Sequence, residues 1–152
     1  MALEGPLGAG KSTFVRHLLR ALGVSGRIKS PTYAVLEPHE APGLSISHLD
    51  FYRFGDPREW EDAGLRDVFA QPGLKLAEWP ERVRGVLPTP DLRLHIEPLG
   101  EGPNPTPDAH DAHARDEPPA RRQVHAEALT PRGLVLLEAL APGGAPGLPD
   151  AA

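Results

Sequence analysis

The sequence has no cysteine, few aromatic side chains and no long apolar run. Of its 152 residues, 5% are aromatic and none is cysteine, which excludes disulfide bonds, thiolate nucleophiles and thiolate zinc sites. No apolar stretch approaches the roughly 18 residues of a membrane-spanning helix, and no basic segment leads into a signal-like apolar one. We therefore expect a cytoplasmic protein without a membrane partner.

An excess of positive charge is also missing. The formal net charge of −5 provides no broad attraction for nucleic acid, so DNA is not an expected partner and any RNA contact needs a local patch or a partner's surface. Proline (19) and glycine (16) are abundant instead, and much of that excess follows Glu97. Residues 98–120 show no apolar periodicity. They therefore cannot bury enough apolar surface to offset the conformational entropy lost on ordering. We predict a disordered or mobile loop there.

The most specific motif is the glycine-rich segment 5–12. Its pattern, G-x-x-x-x-G-K-S, lets backbone N–H groups turn inward around a phosphate, and the helix that follows adds its positive end. Lys11 can reach the β- and γ-phosphates, and the Ser12 hydroxyl is placed for magnesium. A glycine turn without a ligand is the structural alternative. The predicted nucleotide-contacting residues are Gly5, Leu7, Gly8, Ala9, Gly10, Lys11 and Ser12 of this segment, together with Thr13 directly after it.

Hydrophobic periodicity predicts one α/β domain with a mainly parallel sheet, mixed at its edge and flanked by helices. A helix is expected from Lys11 to Gly23, a second from Asp56 with an apolar face of Trp60, Ala63, Leu65, Val68 and Phe69, and a short one over 80–86. Strands are expected at 1–4, 32–37, 44–50, 74–78 and 92–96. A core of 1–97 is completed by residues 121–152, as a returning strand at 121–129, a strand or helix at 133–140 and a flexible end.

Two carboxylates stand at the predicted carboxyl ends of strands, Asp50 and Glu78. Ligands gather at that edge of a parallel sheet, and ATP hydrolysis needs an acid near magnesium and a group that orients water. A solvated surface acid is the alternative for each. Thr32, in a Ser-Pro-Thr turn, is a candidate switch residue that contacts magnesium or the γ-phosphate, with a plain turn as the alternative. Trp79 either packs in the core or covers the nucleotide.

Together these segments resemble the TsaE (also called YjeE) family of bacterial P-loop ATPases. The likeness lies in the order and spacing of residues 5–13, 30–33, 48–53, 61–65 and 78–81, and it extends from residue 1 to about 97. It implies a P-loop NTPase-like three-layer sandwich. It also implies a role in the threonylcarbamoyl modification of the adenosine next to the anticodon of tRNA. In that family the ATPase acts with the TsaD–TsaB complex, which performs the transfer, so tRNA is an indirect partner.

The resemblance implies roles for individual residues, with ATP and Mg²⁺ as cofactors. Lys11 would hold phosphate, Asp50 would be a magnesium-linked carboxylate, and Glu78 would be a second acid at the metal or the attacking water. Trp79 would lie beside the nucleotide pocket, and Thr32 would be the switch threonine. The implied catalytic residues are Lys11, Asp50 and Glu78, and the implied metal ligands are Ser12, Thr32, Asp50 and Glu78.

Two features depart from the family pattern. Family members carry a strand, a helix and most of the loop's own strand ahead of the glycine loop, whereas four residues precede Gly5 here. We expect the native protein to begin upstream, with its first elements truncated in this chain. An intact mass near 16.3 kDa from native cells would contradict this expectation. The segment after Glu97 is longer than the family's loop, and the tail matches only loosely, at residues 121–124.

Two other functions share the phosphate loop. A small-molecule or nucleotide kinase would use Arg53 and Arg58 for an acceptor phosphate, but no arginine-rich lid segment is visible. A non-catalytic ATP-dependent switch would need no water-orienting acid, so Glu78 discriminates it from an ATPase. We expect an ATPase that is slow alone and stimulated by its partners, because no arginine finger can be assigned.

Overall fold

A six-stranded mixed sheet forms the centre of the structure. The computed structural model describes residues 1–31, 33–56, 58–99 and 121–140. The strands are β1 Ala2–Glu4, β2 Leu36–Ala41, β3 Leu44–Asp50, β4 Leu74–Glu78, β5 Leu92–Pro98 and β6 Arg122–Ala128. Their order is β2-β3-β4-β1-β5-β6, parallel in the middle and antiparallel at β2–β3 and β5–β6. The predicted mainly parallel sheet, mixed at its edges, is confirmed.

Helices cover both faces of this sheet. They are α1 Lys11–Ala21, α2 Glu59–Asp62, α3 Leu65–Ala70 and α4 Pro131–Leu140, together with a 3₁₀ helix, Pro80–Val83. On one face Val15 and Leu19 of α1 join a buried apolar cluster with strand residues. On the other face Trp60, Leu65 and Val83 join a second cluster. The three-layer arrangement follows from these two cores, and no helix in the described ranges is long and apolar enough to cross a membrane.

Side-chain alternation in β3 and β4 decides which residues face α1. Ile46 and Leu76 belong to the cluster beneath that helix. Since alternate residues of a strand share a face, His48, Asp50 and Glu78 lie on the same side. The parallel register pairs Asp50 with Glu78, and each is the last residue of its strand. Both acids therefore stand at the edge of the sheet where the chain leaves β1 for the glycine loop.

The bounds of the strand predicted at 32–37 are wrong: the strand starts later and ends later, over Leu36–Ala41. Thr32 lies outside the described residues, and the chain turns before β2 begins at Leu36. Val35 has a left-handed φ of 66° and donates its amide to the Pro31 carbonyl at 2.7 Å. β2 then runs beyond the predicted end as an edge strand, which is the position where Pro38 is tolerated.

The helix predicted from Asp56 is divided into α2 and α3. Gly64 separates the two with a left-handed φ of 65°. The buried or half-buried members of the predicted apolar face are Trp60, Leu65, Val68 and Phe69. Ala63 is exposed beside the break and is not part of that face. The Asp56 carboxylate accepts the Arg58 amide at 2.9 Å, one residue before α2.

The C-terminal part adds one strand and one helix. The returning strand is confirmed as β6, and the terminal element is the helix α4. Thr130 precedes α4 and caps it: its hydroxyl accepts the Gly133 amide at 3.1 Å and donates to Asp91 at 2.6 Å. Pro98, assigned to the loop from sequence, is the last residue of β5. The rest of the predicted loop from residue 100, and the predicted flexible end from 141, lie outside the described residues.

Candidate phosphate-binding site

The glycine-rich loop joins the end of β1 to the start of α1. Gly5, Gly8 and Gly10 have φ angles of 136°, 78° and 99°, which other residues rarely adopt. A Cβ on Gly5 would also lie 2.2 Å from the Ile96 carbonyl oxygen, because the loop passes directly against β5. Leu7 at the tip is 70% exposed. The loop therefore has the backbone conformation and the open tip that wrapping a phosphate requires.

Lys11, the first residue of α1, is buried against this loop. Its Nζ donates to the carbonyls of Gly5 at 2.6 Å and Pro6 at 3.0 Å, and it lies 3.7 Å from the centroid of the Trp79 ring. Burial lowers the pKa of Lys11, and neighbouring carboxylates, Glu78 first among them, oppose that effect. The ammonium is thus held at the loop by backbone oxygens and an aromatic face.

Glu78 connects three elements of the site. Its Oε2 accepts the Ser12 hydroxyl of α1 at 2.8 Å, and its Oε1 lies 2.7 Å from Nε2 of His48 on β3. Glu78 and His48 are each 1% exposed. The carboxylate at the end of β4 therefore has both oxygens in hydrogen bonds and ties the first turn of α1 to the sheet.

Asp50 and Trp79 complete this side of the site. Asp50 is buried opposite Glu78, and its Oδ1 accepts the Tyr52 amide at 2.9 Å. Trp79 has a left-handed φ of 57°, which turns the chain directly after Glu78. The rings of Tyr52 and Trp79 have centroids 5.0 Å apart. The half-buried indole thus lies between the lysine and an aromatic neighbour.

The donor set suits magnesium bound together with phosphate. The Ser12 hydroxyl and the carboxylates of Asp50 and Glu78 are the hard oxygen ligands that Mg²⁺ prefers. Among the residues that the structure describes, no group of three or more His, Asp or Glu side chains is placed to hold a metal. Mg²⁺ is usually bound by one or two carboxylates, waters and substrate phosphates. The residues present therefore fit an ion that arrives with a nucleotide.

Most of the predicted site residues come together in one place. The glycine loop, Lys11, Ser12, Glu78 and Trp79 are linked by the contacts above, and Asp50 is paired with Glu78 in register. Thr13 is exposed in the first turn of α1. No position can be given for Thr32, which is outside the described residues.

Two residues at the site were not predicted for it. From sequence we predict no role for His48 at the site, although it is two positions before Asp50 and so on the same face. Arg122 donates its Nε to the Ala9 carbonyl at 2.9 Å across 113 positions of chain. Nothing in the local sequence of β6 indicates this contact.

The two arginines considered for a kinase acceptor site have partners of their own. The Arg53 guanidinium lies 4.4 Å from the centroid of the Tyr33 ring. Arg58 forms an exposed ion pair with Asp56 at 2.6 Å. Neither contact involves a residue of the glycine loop, so neither supports an acceptor-phosphate site.

The chain is similar in sequence to a described family and to known proteins. Residues 1–103 match the family described as threonylcarbamoyl adenosine biosynthesis protein TsaE. The chain is 43% identical over 95 residues to the tRNA threonylcarbamoyladenosine biosynthesis protein TsaE of Haemophilus influenzae, covering 62% of this chain and 60% of that protein. It is 36% identical over 101 residues to the Bacillus subtilis protein of the same name, covering 66% and 63%. The chain thus spans less than two thirds of these relatives.

A solved structure shares the fold. The crystal structure of Bacillus subtilis YdiB superposes with a TM-score of 0.52 at 31% sequence identity, covering 66% of this chain and 60% of that one. The similarity supports the arrangement of strands and helices that positions the glycine loop.

Proposed function

This chain belongs to the TsaE family of threonylcarbamoyl adenosine biosynthesis proteins, and we propose that it binds ATP with Mg²⁺ at the glycine loop and hydrolyses the ATP. Hydrolysis would serve threonylcarbamoyl modification of the adenosine next to the anticodon of tRNA. The TsaD–TsaB complex would be the direct partner and tRNA an indirect one. The observation that carries the proposal is the 2.8 Å contact between the Ser12 hydroxyl and the buried Glu78 carboxylate.

The loop offers three kinds of attraction for a nucleotide. The Lys11 ammonium can exchange its two carbonyl partners for phosphate oxygens, because both partners belong to the loop that phosphate would contact. The amides of the loop and the positive end of α1 add donors. Ser12, Asp50 and Glu78 would hold the ion, which neutralises charge on the phosphates when bound.

Glu78 and Asp50 are the candidates for orienting the attacking water. Both Glu78 oxygens are already bonded, and the side chain is 1% exposed. The buried carboxylate is therefore poorly accessible to water until the site rearranges. We expect slow hydrolysis by the isolated protein and faster hydrolysis when a partner rearranges the site.

The same burial favours a second candidate function, a nucleotide switch whose ATP state selects partners. A switch would use Glu78 to hold magnesium and the Ser12 side chain in place, with no role in activating water. It would share the loop and Lys11 with the ATPase. The two functions differ in the effect expected of removing the Glu78 charge.

The deciding experiment measures ATP turnover with Mg²⁺ by the full chain, alone and with the TsaD–TsaB pair and tRNA. We expect stimulated hydrolysis and modified adenosine in the tRNA, both lost in Lys11→Ala. Lys75→Ala is the matched control. Lys75 lies at the other end of β4 from Glu78, so its substitution should leave activity unchanged. Binding of ATP without a response to the partners would favour the switch or a kinase. A chain that binds no ATP would overturn the proposal.

A further inference from the structure

Arg122 reaches the glycine loop from the edge of the sheet. Its Nε donates to the Ala9 carbonyl at 2.9 Å, and its Nη1 donates to the Arg121 carbonyl at 3.1 Å. A Cβ added to Gly10 would lie 3.7 Å from the same Nε. The guanidinium therefore lies against the two residues that directly precede Lys11.

This contact sets the orientation of the peptide between Ala9 and Gly10. In a trans peptide the carbonyl and the following N–H point in opposite directions, and the described part of the chain has no cis peptide bond. With its carbonyl held by Arg122, this peptide directs the Gly10 amide hydrogen away from Arg122. Gly10 has a φ of 99°, and a glycine has little preference of its own to maintain that geometry.

We propose that Arg122 is a positioning residue of the phosphate loop, which holds the Ala9 carbonyl so that the Gly10 amide is presented to the phosphate of a bound nucleotide. This inference rests on the proposed function, since it names how that site is held ready. Through Arg122, β6, an antiparallel edge strand, acts directly on the loop that follows β1.

An arginine suits this position better than a lysine. The guanidinium is a rigid fork with several donors and keeps its charge at any pH of interest. Here one donor holds the Ala9 carbonyl while another is anchored on the Arg121 carbonyl. A lysine carries its donors on one flexible ammonium. We therefore expect Arg122→Lys to hold the Ala9 carbonyl less well than arginine does, and to retain only part of the effect of the contact.

The first test needs no nucleotide and measures hydrogen exchange of residues 8–11 in the full chain. In this segment the Ala9 amide donates to the Pro6 carbonyl at 3.1 Å, and Arg122→Ala should speed its exchange by about tenfold, the effect of losing one hydrogen bond from a charged donor. Amides in the middle of α1 are the internal reference for overall stability. Arg121→Ala is the matched control, because it removes the same charge one residue away and leaves the carbonyl that Arg122 contacts. Equal exchange in both variants would overturn the proposal.

The second test measures the dissociation constant of MgATP in the same variants. Arg122→Ala should raise it by about tenfold, Arg122→Lys by less, and Arg121→Ala by under about twofold. If the unmodified chain binds MgATP and Arg122→Ala binds it equally well, the positioning role alone is overturned. If the unmodified chain binds no MgATP, the proposed function fails and this inference fails with it.

Discussion

His48 Nε2 lies 2.7 Å from Glu78 Oε1, on adjacent parallel strands, and each residue is 1% exposed. The other Glu78 oxygen is bonded to Ser12, so the histidine occupies the acceptor that would otherwise be buried without a partner. A buried carboxylate that lacks partners is costly. The histidine therefore stabilises the carboxylate on which the candidate chemistry depends.

Two substitutions of His48 should distinguish how much its hydrogen bond and its packing each contribute to the free energy of unfolding. His48→Leu removes the donor and should lower the free energy of unfolding by about 3 kcal/mol, because Glu78 Oε1 is left unpaired. His48→Gln keeps an amide donor of similar reach and should lose less than half as much. Urea denaturation at neutral pH measures both. Equal losses in the two variants would mean that the shape of the ring, and not its hydrogen bond, is what stabilises the site.

Glu78→Gln should distinguish an ATPase from a switch. The amide keeps the size of the side chain but removes its charge, so water is no longer oriented by a carboxylate. We expect partner-stimulated ATP turnover to fall by at least about 100-fold, with a dissociation constant for ATP that changes by less than about tenfold. Steady-state phosphate release and calorimetric titration measure the two quantities.

Glu138→Gln is the matched control for that experiment. Glu138 is an exposed acid on α4, outside the site, and its substitution should leave turnover within about threefold of the unmodified chain. Unchanged turnover in Glu78→Gln would favour the switch or assign the essential acid to Asp50.

Lys11 is held in a buried position at some cost to the folded state. Burial lowers its pKa, so the fold disfavours the charged form relative to the unfolded chain. Lys11→Met should therefore weaken ATP binding by at least about 100-fold while lowering the free energy of unfolding of the nucleotide-free protein by no more than about 1 kcal/mol. A loss of several kcal/mol would mean that the bonds to Gly5 and Pro6 outweigh the burial cost.

The same pKa shift predicts how stability depends on pH. Between the lowered pKa of folded Lys11 and the higher value in the unfolded chain, the unfolded state binds more protons. Stability contributed by this group therefore rises with pH across that window. The unmodified chain should gain stability relative to Lys11→Met as the pH is raised toward the ordinary lysine pKa. A difference that stays constant with pH would contradict the shift.

The sequence predicted β3 and β4 to the residue, and the reason is their burial. Residues 74–78 are a short apolar run ended by an acid, and 44–50 alternates under α1. The bounds of β2 were missed because that strand is an edge. Its side chains mix apolar and charged types, none is fully buried, and it contains Pro38, so neither apolar alternation nor strand propensity indicates it.

The candidate site, like the fold, could be predicted from the sequence only in part. Asp50 and Glu78 could be brought together from sequence, since parallel strands end at one edge of the sheet. The alternation of β3 also places His48 beside them, although its partner depends on the register with β4. Arg122 could not be found from sequence, because its contact with Ala9 spans 113 positions and depends on β6 pairing with β5.

The passage of Gly5 over β5 gives a prediction about the loop itself. Gly5 has a φ of 136°, and a Cβ added there would lie 2.2 Å from the Ile96 carbonyl oxygen. Gly5→Ala should lower the free energy of unfolding by about 3 kcal/mol or prevent folding, since both strain and overlap with backbone oppose it. Gly43→Ala is the matched control: φ is 71° with nothing within 4 Å of a Cβ, so only the strain of about 1 kcal/mol applies. Urea denaturation measures the free energy of unfolding of both variants. Equal losses would contradict this account, because they would mean that the loop can move off β5 without cost.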